Sequence, residues 1–483
     1  SNALNDTKGE FTWVGSAYTL SSTAFIPLSG SLSEAFGRRP VILTCIAFFA
    51  LGSALAGAAQ DMNMMIAART IQGIGGGGII NLTEIVVADL VPLAERGLYQ
   101  GLIGLVWSFA SSIGPPIGGA LANRGHKAWR WLFFLNLPLT GIAFVLTLFF
   151  LRVKRPEGST SEKLRQVDWL GNAIVIVGSG LVIIGLTWGG IRYSWASAPV
   201  LVPLILGLVL LVAFCFYEAT VPAHPTIPLD VIANRTSLSG LLATACHGVV
   251  SIALIYYLPV YFQACFGASP IRSAVDILPA ALLIAPFGLV GGISVSIVKR
   301  YREANWIGWA FTVVGMGVLS TLKATSSVGS WVGFQVVVAV GLGLLFAAPV
   351  FAILAPLPPS RAGPALALFS FVRSFFQTWG IAIAGTILQN RLNRDLPAPF
   401  VSQFPPHEEI AYIAIPVIKT LDEPLRAQVR GIFADSLAEI WQVMIGIAGL
   451  GLLVSLLMRE IPMAVVVDTK HALDDGTKDV EMQ

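Results

Sequence analysis

Ten residues, Gly30-Ser-Leu-Ser-Glu-Ala-Phe-Gly-Arg-Arg39, place one carboxylate and two guanidinium groups in a short turn between two long apolar runs. Ion pairing is the chemistry open to them: Glu34 sits near a helix end and Arg38 can reach a facing helix, with Arg39 beside it. Gly30 and Gly37 supply the close helix approach and the chain reversal. Three further ionisable groups, Arg69, Glu84 and Arg373, lie inside apolar runs. A charge at the centre of a membrane costs about 2.5–3.5 kcal/mol on insertion scales, so each needs a partner, a water-filled cavity or a route to the surface. For Arg69, just past Asp61, that route is open; the alternative is a role in coupling charge movement. Glu84 stands about four turns from Arg69 on one helix, so the two do not pair directly. Asp89, near Glu95 and Arg96, belongs to the charged surface rather than to a cavity. Tyr18, Gln72, Asn81, Asn136, His247, Tyr257, Gln335 and Gln377 are the remaining polar candidates to line a cavity, with helix-packing hydrogen bonds as the competing reading of each.

The elements that position these groups are membrane spans. Hydrophobic residues make up 55% of the chain and charged residues 12%, and the mean hydropathy is +0.76. A soluble chain of 483 residues needs far more charge to cover its surface. Runs of about 20 apolar residues, the length a bilayer core requires, recur thirteen times, the first near 12–33 and the last near 438–458. They are continuously apolar, without the alternation of a barrel strand, so the fold class is all-α integral membrane. The small net charge of +3 gives nucleic acid binding no support. Cys45, Cys215, Cys246 and Cys265 show neither metal spacing nor a disulfide framework and read as small packing residues. Ser1 to Glu10 is too polar for a signal peptide.

The densest positive clusters set the orientation. With Arg38 and Arg39 cytoplasmic, Arg96, the group from Arg152 to Arg165, Lys299, Arg300, Arg302 and the tail after Arg459 fall on the same side. Arg124, Lys127 and Arg130 fall opposite, and the loop from 389 to 437 dilutes the bias. The chain also repeats itself. Pro27 to Arg39 runs through glycines into a basic turn, and Pro286 to Arg302 does the same. Gln72-Gly-Ile-Gly-Gly-Gly-Gly78 has a weaker counterpart in Gly341-Leu-Gly343. This divides the chain into 1–151, a linker with two extra helices over 152–236, a second half over 237–458, and a cytoplasmic tail over 459–483.

The charged turn resembles the loop between the second and third helices of major facilitator superfamily transporters. Arg69-Thr-Ile-Gln-Gly-Ile-Gly-Gly resembles the family's fourth-helix motif, whose arginine is implicated in proton translocation. Gly101, Gly114, Pro115, Gly118 and Gly119 match the antiporter motif of the fifth helix, with Ala110 in place of a glycine. Trp129-Arg-Trp-Leu-Phe-Phe-Leu-Asn-Leu-Pro138, Asp168-Trp-Leu-Gly171, Leu186-Thr-Trp-Gly-Gly190 and Tyr257-Leu-Pro-Val-Tyr-Phe-Gln263 are similar to the fourteen-helix drug:proton antiporter branch, in its fungal form. The resemblance implies two six-helix halves with two linker helices between them. It implies that Glu34, Arg38 and Asp89 hold the cytoplasmic side closed. It also implies a first helix with a proton-binding carboxylate upstream of Ser1. Without that helix here, Glu84 is the nearest stand-in proton carrier.

The expected function is proton-coupled export of small organic molecules (drugs, toxins or secondary metabolites) by a monomer in the plasma membrane rather than the vacuolar membrane. No cofactor is expected, with the proton gradient as energy source. No Gly-x4-Gly-Lys-Ser/Thr string occurs to hold ATP, and Gly73 to Gly78 lies within a span. Carriage of basic amino acids or siderophores at the vacuole is the neighbouring alternative, disfavoured by the few acids in the spans. A transport-inactive truncated product is another. A membrane enzyme would need a clustered His, Asp or Glu constellation. His126, His224, His247, His407 and His471 are scattered, so no enzyme is expected.

Overall fold

The computed structural model describes residues 13–122, 128–154, 156–190, 192–404 and 410–465. Ser1 to Glu10, Arg124, His126, Lys127, Arg155, His407, His471 and the tail after Val465 lie outside them, and for Pro115 and Gly119 the helical backbone alone is described.

Thirteen helices organise the described chain. They are α1 (Trp13–Phe36), α2 (Arg38–Ala58), α3 (Met62–Leu90), α4 (Arg96–Ala122), α5 (Asn136–Phe150), α6 (Trp169–Trp188), α7 (Ala198–Thr220), α8 (Arg235–Phe266), α9 (Leu278–Val298), α10 (Arg302–Leu319), α11 (Val328–Leu354), α12 (Ala362–Asp395) and α13 (Leu425–Ser455). Two short turns, Ala128–Arg130 and Trp131–Phe134, lead into α5. Ten spans are long and apolar enough to cross a membrane, α5 counted with its leading turns. The other three, α1, α4 and α10, have 24, 27 and 18 residues. Even α10 extends about 27 Å at 1.5 Å per residue, close to the thickness of a bilayer core. Serine and glycine lower the hydropathy of α1, and Arg302 and Glu303 that of α10.

Polar residues set the helix starts. Asp61 accepts from the Met64 amide at 2.8 Å, and Ser327 and Asn234 cap α11 and α8 in the same way. Gly267, in the left-handed region at φ 65°, ends α8. The sequence repeat reappears as packing: α3 lies against α1 and α2, and α11 lies against α9 and α10. The turn after α1 reverses at Gly37 (φ 90°), and the turn after α9 reverses at Lys299 (φ 59°).

Contacts between early and late helices run along two seams, α4 on α9 and α1 on α12, with α3 also touching α12. The α6–α7 hairpin docks through α6 on α1 and α12. Burial separates centre from rim. The apolar windows of α8 and α11 are 78% and 72% buried, whereas those of α7 and of the span ending in α5 are 17% and 6% buried. Phe149, Phe150 and Phe216 therefore face outward, as they must in lipid. Cys45, Cys246 and Cys265 are buried, but Cys215 is exposed on α7, so it packs against nothing inside the bundle.

Candidate functional site

The charged turn closes on itself and on α3. Arg38 is 1% exposed. Its Nε donates to Asp89 Oδ2 at 2.7 Å, Nη1 to Ser33 Oγ at 3.0 Å and Nη2 to Glu34 Oε1 at 2.6 Å. One planar guanidinium thus ties the end of α1 to the end of α3, a fork a lysine cannot reproduce. A Cβ at Gly363, the second residue of α12, would lie 2.4 Å from Glu34 Oε1, and one at Gly30 would lie 2.9 Å from Ala367 Cβ. The turn is therefore pressed against the second half of the chain. Arg39 donates instead to the Leu148 carbonyl of α5.

Farther along α3 and α12, which touch each other, stand two further charges, Glu84 and Arg373. Glu84 is 5% exposed and accepts from Gln100 Nε2 of α4. Arg373 of α12 is the charge that acts on Glu84, without a direct ion pair. Its Nη2 donates to the Phe346 carbonyl at 2.8 Å, and its guanidinium lies 4.3 Å from the Phe369 ring centroid and 4.7 Å from that of Phe346. Arg373 Nε is buried with no acceptor. His247 of α8 also senses Arg373, and its Nε2 lies 3.2 Å from the Leu342 carbonyl. Arg373 thus acts at a distance on one carboxylate of α3 and one imidazole of α8. In a low-dielectric interior the Glu84–Arg373 attraction is long-ranged, and a proton on Glu84 cancels it.

The seam of α4 depends on glycine. A Cβ at Gly97 would stand 1.8 Å from the Gly292 carbonyl oxygen, one at Gly101 2.5 Å from Leu289 Cα, and one at Gly104 3.3 Å from Phe346. The working stripe is Gly97, Gly101 and Gly104, of which the sequence motif held only Gly101. Among the described residues Gly114 meets nothing within 4 Å and Gly118 only Leu132 at 3.8 Å, so these two motif glycines make no backbone-to-backbone contact there. Neighbouring Phe109, Ile113 and Ile117 are exposed on that stretch of α4. A four-then-three glycine spacing was the available signal for Gly97 and Gly104.

The basic end carries a further tie. Tyr301 Oη donates to the Arg459 carbonyl at 2.5 Å and accepts from the Ile461 amide at 3.2 Å. Burial pushes the Tyr301 phenol up to about 12, so it remains a donor at ordinary pH. The strand of chain it holds continues to Ala464, whose carbonyl accepts from the Ala94 amide at 3.3 Å. Lys299 Nζ donates to the Ala94 carbonyl at 3.0 Å. The space left between Leu93, Arg96, Leu357, Ala362 and Ala464 is about 10 Å³, no larger than one water.

The remaining candidates separate. Arg69 donates to the Val14 carbonyl at 2.8 Å and to Gln72 Oε1 at 2.5 Å, and stacks 4.4 Å from the Tyr18 centroid. Gln72 passes the chain to Ser53, which Asn136 also reaches at 3.3 Å. This cluster is separate from Glu84. Asn81 and Gln335 are 0% exposed. Their bonds go to Ser29 Oγ and to the Asp276 carbonyl, so they hold helices together and line no cavity. Tyr257 donates to the Ile381 carbonyl. Gln377 follows Arg373 by one turn on α12. Gln100 was missed in the sequence, because a glutamine near a helix start carries no signal until its carboxylate partner is known.

Helices of bilayer length, apolar rims and buried charges define an integral multi-pass membrane protein. Residues 1–381 match the family model described as Major Facilitator Superfamily. The chain is 37% identical over 480 residues to the MFS-type transporter gkaD of Penicillium citrinum, covering 98% of this chain and 82% of that one. It is 36% identical over 473 residues to the efflux pump FUS6 of Gibberella fujikuroi, covering 96% and 85%. Among solved structures, a double-tryptophan mutant of XylE aligns with a TM-score of 0.59 at 15% identity, over 96% of this chain and 90% of that one. An auto-inhibited POT family peptide transporter aligns with a TM-score of 0.58 at 13% identity, over 94% and 89%. The chain belongs to the major facilitator superfamily and is a membrane transporter.

Proposed function

We propose that this protein exports small organic molecules in exchange for protons, by alternating access between the halves at 1–151 and 237–458. Relatives named as efflux pumps support the direction and the kind of cargo. The observation that carries proton coupling is Glu84 itself, a buried carboxylate on α3 held by Gln100 of α4, with Arg373 of the other half as the charge that acts on it. With Glu84 ionised, the attraction joins the Arg38–Asp89–Glu34 cluster and the glycine seam in holding the cytoplasmic end shut. A proton arriving from outside neutralises Glu84, removes the attraction, and lets the cytoplasmic end part. Release of the proton inside restores the charge pair and closes that end again. The proton gradient is the energy source, the working unit is a monomer, and the plasma membrane is its site.

Purified protein in proteoliposomes tests this with two probes, fluorescein as an anion and rhodamine 6G as a cation. Glu84→Gln should cut gradient-driven accumulation at least about tenfold, the equivalent of 1.4 kcal/mol, while gradient-free exchange of the probe continues. Wild-type accumulation by Glu84→Gln would overturn the assignment.

A further inference from the structure

A second pair of carboxylates lies away from the transport seam, where the α6–α7 hairpin meets the body. Asp168 caps α6, its Oδ1 accepting from the Gly171 amide at 2.9 Å and from Tyr217 Oη at 3.0 Å. Glu218, near the end of α7, is 6% exposed, and its Oε2 accepts from the Ile227 amide at 3.1 Å. The other two oxygens, Asp168 Oδ2 and Glu218 Oε1, are buried and have no donor among the described residues. They converge over Gly171, where a Cβ would stand 2.0 Å from one and 2.6 Å from the other. Two bare acceptors driven together in this way repel, and a single proton turns the repulsion into a carboxyl–carboxylate hydrogen bond.

We propose that Asp168 and Glu218 share one bound proton, which locks the α6–α7 hairpin and is distinct from the proton carried by Glu84. No arginine or lysine among the described residues pairs with either carboxylate, and Asp168 is the charge that acts on Glu218. The other titratable neighbours are Tyr217 and Cys215, both on α7. On α1, which packs against α6, the acid Glu34 is taken by Arg38, and on α12 Arg373 is turned to Phe346. The locked hairpin reaches the gating helix through Asn172, 1% exposed, whose Nδ2 donates to Thr226 Oγ1 at 2.9 Å and lies 3.4 Å from Ser31 Oγ on α1. Losing the proton should loosen the contact of the hairpin with α1 without touching Arg38 or Glu84.

Infrared difference spectroscopy of the full chain in nanodiscs reads the proton directly. At about pH 6, where a free carboxylate with a pKa near 4 is ionised, the wild type should show a protonated-carboxyl C=O band. The part of that band that belongs to the pair should disappear in Glu218→Gln, whose amide can donate to Asp168 and keep the fold, and should persist in Glu84→Gln, which removes only the contribution of Glu84. Asp168→Asn provides the reciprocal check. A spectrum unchanged by both Glu218→Gln and Asp168→Asn would overturn the proposal, as would bridging by sodium, seen as carboxylate bands that shift with sodium at fixed pH.

Discussion

At the scale of single residues, Arg38 ties the end of α1 to the end of α3, and the proposed gate rests on it. It is enclosed, and each of its three nitrogens has its own acceptor, so its removal breaks the buried ion pair with Asp89. Breaking a buried pair in this way costs about 3–5 kcal/mol. Arg38→Ala should therefore abolish probe efflux while leaving membrane insertion intact, and Arg38→Lys should rescue it poorly, because one ammonium cannot serve Asp89, Ser33 and Glu34 together. Efflux assays with surface-expression controls decide this, and wild-type transport by Arg38→Ala would remove the gate role. That Arg38 could reach a facing helix was readable in the sequence, because the turn is short and the charges are few; that the residue it reaches is Asp89, 51 positions on, was not. Pairing of Glu84 with Arg373 was not, since 289 positions separate them and no local pattern joins them. Sequence showed only that each charge needed a partner.

At the scale of elements, the contact of α4 with α9 leaves no room for a side chain at Gly97. Overpacking of this kind typically costs about 1–3 kcal/mol, unless the helices separate. Gly97→Val should force the cytoplasmic seam open and lower the melting temperature, whereas Gly141→Ala, with nothing within 4 Å, should be silent. Thermal melting with cysteine accessibility at Ser296, whose hydroxyl accepts from the Gly97 amide, separates these outcomes. Helix number was legible because lipid demands continuous apolar runs; boundaries failed where a helix outruns the apolar run, as in α13, which starts at Leu425 and not near 438, and α12, which continues to Asp395. Which glycines touch was less so: Gly114 and Gly118 satisfy a motif yet pack against no backbone among the described residues, while Gly97 fell outside it. Glycine in a membrane helix permits close approach but does not say to which neighbour.

At the scale of the whole molecule, the closed end is a joint product of three ties: the Arg38 cluster against α12, the α4–α9 seam, and the strap from Arg459 to Ala464 held by Tyr301. All three must yield for the halves to rock. Neutralisation of the proposed proton carrier, Glu84, releases them. Spin labels at Glu95 and Arg300 sit on opposite sides of the seam, next to the Lys299–Ala94 contact. Both positions are exposed, and the Arg300–Glu303 pair lost by labelling is a surface pair of little worth. With Cys215 replaced by serine, double electron–electron resonance measures the gap. The account predicts one short distance at about pH 8, a longer one growing in towards about pH 5 as carboxylates protonate, and the longer one at both values in Glu84→Gln. A single unchanging distance in the wild type, or an undiminished pH response in Glu84→Gln, would contradict it.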